Sequence, residues 1–243
     1  MSTSLADQST DELGGPHSVL ARQKRDHVEL DRLLHRIDES SGAQRQEYLT
    51  ALCRLVFPHA FAEESVLWPA IRKWVPEGEP LTLEIEREHQ EINELFTELE
   101  KLPPDDPEHR KLWGRIKTLL REDVRDEEDR LLPLLQAATD RTTLIRLGWA
   151  WEAVRRTAPT RPHPVVARRP PGNVAAAAPL TVLDRARDHL ERAARRSSGR
   201  AGTALGTVSA GLARVAGAIE HVPPLTRGED PSTRSPRRPE EQG

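Results

Sequence analysis

Three histidines and three carboxylates stand at spacings that suit metal chemistry. His59 and Glu63 lie four residues apart, so on a helix they share one face. Asp123 and Glu127 repeat that spacing. His27 and His89 sit in matching hexapeptides, Arg25-Asp26-His27-Val28-Glu29-Leu30 and Arg87-Glu88-His89-Gln90-Glu91-Ile92. Glu63-Glu64-Ser65-Val66-Leu67-Trp68-Pro69 likewise matches Glu127-Glu128-Asp129-Arg130-Leu131-Leu132-Pro133. The chain therefore repeats itself as two helical hairpins around a shared centre. Imidazole nitrogen with carboxylate oxygen suits iron or manganese, and also zinc. A structural zinc needs four ligands and a catalytic zinc usually takes three. Five or six candidates exceed both and point to two metals.

The elements that must position these residues read as four long helices. They span about 17–40, 44–75, 81–102 and 107–138, with stops at Ser40–Gly42, Pro76–Gly78 and Pro103–Pro104. A fifth segment, 140–157, carries Leu144, Leu147, Trp149, Trp151 and Val154 and should pack on the others. Short connections favour antiparallel neighbours, hence an all-α, up-down four-helix bundle over 17–157. Steps of three and four residues trace one buried seam per helix. The seams run Leu20, His27, Leu30, Leu34, Ile37; Leu52, His59, Glu63, Val66, Ala70; Ile85, His89, Ile92, Phe96, Leu99; and Trp113, Ile116, Leu120, Asp123, Glu127, Leu134. Each seam passes through ionisable groups near its middle. Burying one unpartnered carboxylate costs several kcal/mol; burying several at one level is reasonable when a cation holds them.

Composition narrows the remaining classes. Charged residues make up 31% and aromatics 4%, in a Leu-, Ala-, Glu- and Arg-rich mix that favours helices. A net charge of −3 gives no global attraction to nucleic acid or an anionic membrane. The one cysteine, Cys53, excludes an internal disulfide and a cysteine-rich metal site. No apolar run suggests a signal peptide or membrane span, so a cytoplasmic protein is expected.

The pattern of His27, His59-x-x-x-Glu63-Glu64-x-x-Leu67-x-Pro69, Glu88-His89 and Glu127-Glu128-x-x-Leu131-x-Pro133 resembles the hemerythrin-like (HHE cation-binding) domain. The resemblance covers about 25–137. It implies a non-haem di-iron site in a four-helix bundle, with His27, His59, Glu63, His89 and Glu127 as ligands. Asp123 stands where the family has its fourth histidine. Two outcomes are open. Asp123 ligates, making a harder and more negative site with a lower reduction potential; or it falls short, leaving one metal weak. The ferritin-like bundles use Glu-x-x-His, whereas here histidine comes first at spacing four.

The bundle histidines His17, His35 and His109, with His163, His189 and His221 beyond it, lack repeat partners and are expected not to ligate. Glu64 and Glu128 read as groups behind the ligands or in solvent, and Asp26 and Glu88 as surface acids. Residues 1–16 read as a flexible N-terminus, 158–179 as a Pro-rich linker, 180–220 as a weakly helical extension and 221–243 as a disordered tail. The function expected is a metal-binding redox or sensing role toward oxygen, nitric oxide or peroxide. A peroxide-decomposing enzyme and a metal-free scaffold are the alternatives. Manganese or zinc could replace iron, nucleic acid and membrane are not expected as partners, and the C-terminal arm could dock a protein.

Overall fold

A computed structural model describes residues 3–104, 106–197, 199–228 and 230–235. All regular elements among them are helices. The bundle consists of α1 (Val19–Asp38), α2 (Gly42–Ala62) continued by α3 (Trp68–Trp74), α4 (Gly78–Leu99), and α5 (Pro107–Asp126) continued by α6 (Leu132–Ala138). α7 (Arg141–Thr157) packs across α1 and α2. Two further helices follow, α8 (Gly172–Arg196) and α9 (Gly199–Glu220), packed on each other.

Local chemistry accounts for the helix starts. Ser18, Asp106 and Asp140 each accept a backbone N–H of the first turn. Pro107 occupies the first turn of α5, where its missing N–H costs nothing. Gly14 and Gly15 enter α1 with φ of 91° and 94°, a region that favours glycine.

The apolar seam is divided in two. One cluster joins Leu30, Leu34, Ile37, Leu52, Phe57, Ile92, Phe96, Ile116 and Leu120. The other joins Leu20, Ala62, Leu67, Trp68, Ile71, Ile85, Leu131, Leu135 and Trp151. Along every helix the candidate ligands fall between the two clusters. The polar layer is thus a slab sealed by hydrocarbon above and below.

The flanking segments are more ordered than their composition suggests. Leu5 and Leu13 of the expected flexible N-terminus are buried against Trp68 and Trp151. Lys24 Nζ holds this segment by donating to the Ala6 and Gln8 carbonyls at 2.7 and 2.6 Å. The Pro-rich stretch expected as a linker packs as an irregular strap over 158–171, with Val165, Val166 and Ala167 buried. Several of its backbone donors find partners: Thr160 and Arg161 N–H donate to Asp184, and Ala167 N–H donates to the Leu225 carbonyl. The extension forms two full helices rather than weakly helical chain. The expected disordered tail is packed as far as residue 235, with Leu225 and Thr233 buried. Residues 1, 2 and 236–243 of the expected flexible ends lie outside the described residues.

Candidate metal centre

Each hairpin supplies a histidine that faces the carboxylates of the other. His27 Nε2 of α1 lies 3.1 Å from Glu127 Oε2, and His89 Nε2 of α4 lies 3.8 Å from Glu63 Oε2. His59 Nε2 stands 3.0 Å from Glu63 Oε1 one turn below it. Asp123 Oδ1 reaches within 3.5 Å of His89 Nε2, and Glu127 Oε1 lies 4.0 Å from the same nitrogen. The donors fall into two groups compact enough to hold a cation each: His27, His59, Glu63 and Glu127; and His89, Asp123 and Glu127. Glu127 belongs to both. All six sequence candidates are brought together, though His27 groups with Glu127 of the opposite hairpin.

The local backbone explains how neighbouring glutamates both turn inward. Residues Glu63–Leu67 and Glu127–Leu131 are π-helical turns. Trp68 N–H bonds to the Glu63 carbonyl, and Leu132 N–H to that of Glu127. Pro69 and Pro133 follow, each lacking an N–H and crowding the carbonyl four residues back, which favours the wider turn. The widened turn buries Glu64 beside Glu63 and Glu128 beside Glu127.

The inner nitrogens are aimed by carboxylates behind them. His27 Nδ1 is 2.9 Å from Glu128 Oε1, and His89 Nδ1 is 3.0 Å from Glu64 Oε1. His59 Nδ1 is 3.4 Å from Asp26 Oδ2. An N–H donated to a carboxylate leaves the other ring nitrogen as the metal-facing acceptor. Asp26, expected as a surface acid, is only 4% exposed and also pairs with Arg155 Nε at 2.8 Å. The sequence concealed this because Arg155 comes from α7, far along the chain. Trp151 of the same helix sets its ring edge-on to His59 at 5.3 Å, and Trp68 stacks on His89 at 6.3 Å.

Glu88, also expected as a surface acid, is half-buried. Burial and then Asp123 push its carboxyl up to about 7. By the repeat it stands to Asp123 as Asp26 stands to His59. One Glu88 oxygen is buried with no hydrogen-bond partner among the described residues.

The donor atoms fit a cation. His27 Nε2, both oxygens of Glu63, both of Glu127 and Asp123 Oδ1 are buried without a hydrogen bond of good geometry among the described residues. Leaving several such groups unanswered would cost about 1–3 kcal/mol each. In the metal-free protein, protons are held instead at His27, His59 and Glu127. Burial lowers the His27 pKa, but Glu127 and Glu128 outweigh it and raise it to about 10. His59 is raised to about 9 against its own burial, chiefly by Glu63. Burial and the nearby Glu63 push Glu127 up to about 8.

A small void of about 20 Å³ adjoins the donors and is walled mainly by Leu30, Leu55, Val56, Phe57, Ile92 and Leu120. That is room for one water-sized group. Of the histidines expected not to ligate, none joins either donor group. His163, however, is buried between Asp184 and Glu220, at 3.0 and 2.8 Å. Lacking a repeat partner, it gave no sequence signal.

Residues 18–135 match the family described as hemerythrin HHE cation binding domain. A DNA nickase of Nostoc sp. is 29% identical over 112 residues, covering 46% of this chain and 31% of the nickase. An uncharacterized hemerythrin-like protein of Schizosaccharomyces pombe is 22% identical over 135 residues, covering 55% of this chain and 66% of that protein. The chain thus spans less than two thirds of either relative. No solved structure matches it. No helix among the described residues is long and apolar enough to cross a membrane.

Proposed function

Because residues 18–135 belong to the hemerythrin HHE cation-binding family, we propose that the buried donor layer holds a non-haem di-iron centre in a redox or sensing role. Its ligands are His27, His59, Glu63, His89, Asp123 and Glu127. The observation that carries this reading is the pair of donor groups sharing Glu127. A shared carboxylate holds two cations close together, and six donors exceed what a single zinc requires. Imidazole and carboxylate together suit iron, with manganese or zinc as chemically acceptable substitutes.

When bound, the metals supply a redox-active pair able to take up a small ligand such as oxygen, nitric oxide or peroxide. The chain's own residues do the rest. Glu128, Asp26 and Glu64 hold the three imidazoles in one tautomer. The apolar wall limits access of bulk water, and the void beside it has room for one water-sized group. Asp123 in place of a neutral imidazole adds negative charge, which favours the oxidised state.

Elemental analysis with an optical spectrum of the purified protein tests the reading. About two metals per chain are expected, with a melting temperature that falls on chelation. Less than about 0.2 metal per chain, with melting unchanged by chelator, overturns it. Hydrogen peroxide separates the roles. Gas evolution lost in Glu63→Ala marks an enzyme, and a spectral change without turnover marks a sensor.

A further inference from the structure

The two hairpins are equivalent in sequence but not in what lies behind their histidines. Behind His27, Glu128 has no cationic partner among the described residues other than His27 itself. Behind His89, Glu64 has one. Arg168 Nη1 stands 3.7 Å from Glu64 Oε1, and both side chains are almost fully buried. Arg168 lies on the strap, outside the family's matched residues.

The strap holds Arg168 firmly. Its Nη2 donates to the His163 and Val166 carbonyls at 2.7 and 3.1 Å. The strap and the first turn of α8 that follows it are also tied to the chain on both sides of the Glu64–His89 pair. Asn173 Nδ2 donates to Ser65 Oγ at 3.2 Å, beside Glu64. Gln90 Nε2, beside His89, donates to the Pro164 carbonyl at 3.0 Å. Asn93 accepts from His163 N–H through Oδ1 and donates through Nδ2 to the His89 carbonyl.

We propose that Arg168 is a positioning residue for the metal centre, acting through Glu64 on His89, and that the strap makes the C-terminal extension part of the site. This rests on the reading that the donor layer binds metal. The physical case is one of orientation and charge. A buried carboxylate with a fixed guanidinium 3.7 Å behind it stays aimed, so it keeps accepting from His89 Nδ1 and keeps Nε2 turned inward. The cation also offsets the charge that Asp123 adds on the same side of the centre. His89 is the sole imidazole of its donor group, so that position depends most on its being held.

Anaerobic titration of the full-length protein with ferrous iron, in competition with a chelator, tests this. Arg168→Met is expected to weaken retention of the more loosely held iron about 10-fold or more, the usual effect of losing an outer partner. Arg168→Lys, which keeps the charge, should recover part of that loss. Because Arg168→Met also disturbs the strap, a cycle with Glu64→Gln separates the causes. If Arg168 acts through Glu64, the double variant binds iron no more weakly than Glu64→Gln alone. Unchanged iron affinity in Arg168→Met, or losses that simply add, overturns the inference while leaving the metal centre intact. A wild-type protein that takes up no iron removes instead the reading beneath it.

Discussion

Asp123 is the residue at which the sequence departs from the hemerythrin-like pattern it resembles, and the geometry places it among the candidate donors. Its carboxylate joins His89 and Glu127 in a compact group. Asp123→Ala is therefore expected to lose one of two irons per chain. Asp123→His should keep both and raise the reduction potential, because a neutral donor replaces an anion. It would also find Glu88 waiting in the place that Asp26 takes behind His59. A drop to one iron in Asp123→His, measured by elemental analysis, would show that the carboxylate itself is required. The grouping of the six candidate donors was legible because a buried seam that runs through charge is conspicuous at helical spacing. The groups behind them were less so. Asp26 and Glu88 look like ordinary helix acids, and only folding sets Arg155 against one of them and leaves the other half-buried beside Asp123.

At the scale of elements, the helices were legible from apolar periodicity and from their Pro and Gly stops. The π turns were not, because the repeated Glu-Glu-x-x-Leu-x-Pro run states a spacing and not a hydrogen-bond register. Nor was the role of α7 visible. Its periodicity announced packing, yet it also brings Trp151 and Arg155 to the His59 side of the centre. A close crossing with the start of α1 fixes that placement. A Cβ added at Gly148 would stand 2.1 Å from the His17 carbonyl oxygen. Gly148→Ala is expected to destabilise the protein by about 1–3 kcal/mol, as overpacking does, and to loosen iron through the shifted Arg155. Thermal melting checks the first effect and chelator competition the second. Stability unchanged within about 0.5 kcal/mol would show that α7 moves aside freely.

At the scale of the whole molecule, the C-terminal third was the least legible part. Proline and a mixture of charges suggest a linker and tail when counted, but their pairing depends on distant partners. His163 is the fastening point. Burial opposes its charge, but Asp184 and Glu220 outweigh this and raise it to about 10 from an ordinary 6.5. A histidine with a raised folded pKa contributes stability that is fully present below 6.5 and fades as pH rises through about 10. The strap and α8–α9 should therefore become more susceptible to limited proteolysis as pH rises across that window. In His163→Gln that pH dependence should disappear. Cleavage that stays constant across the window in the wild type would contradict the clamp.

The two-cation arrangement around Glu127 is open to one direct measurement, anomalous scattering at the iron edge from crystals of the iron-loaded protein. Two peaks about 3.5–4 Å apart are expected, one beside His27 and His59 and the other beside His89 and Asp123, with Glu127 between them. A single peak, or none within reach of Glu127, would contradict the shared centre.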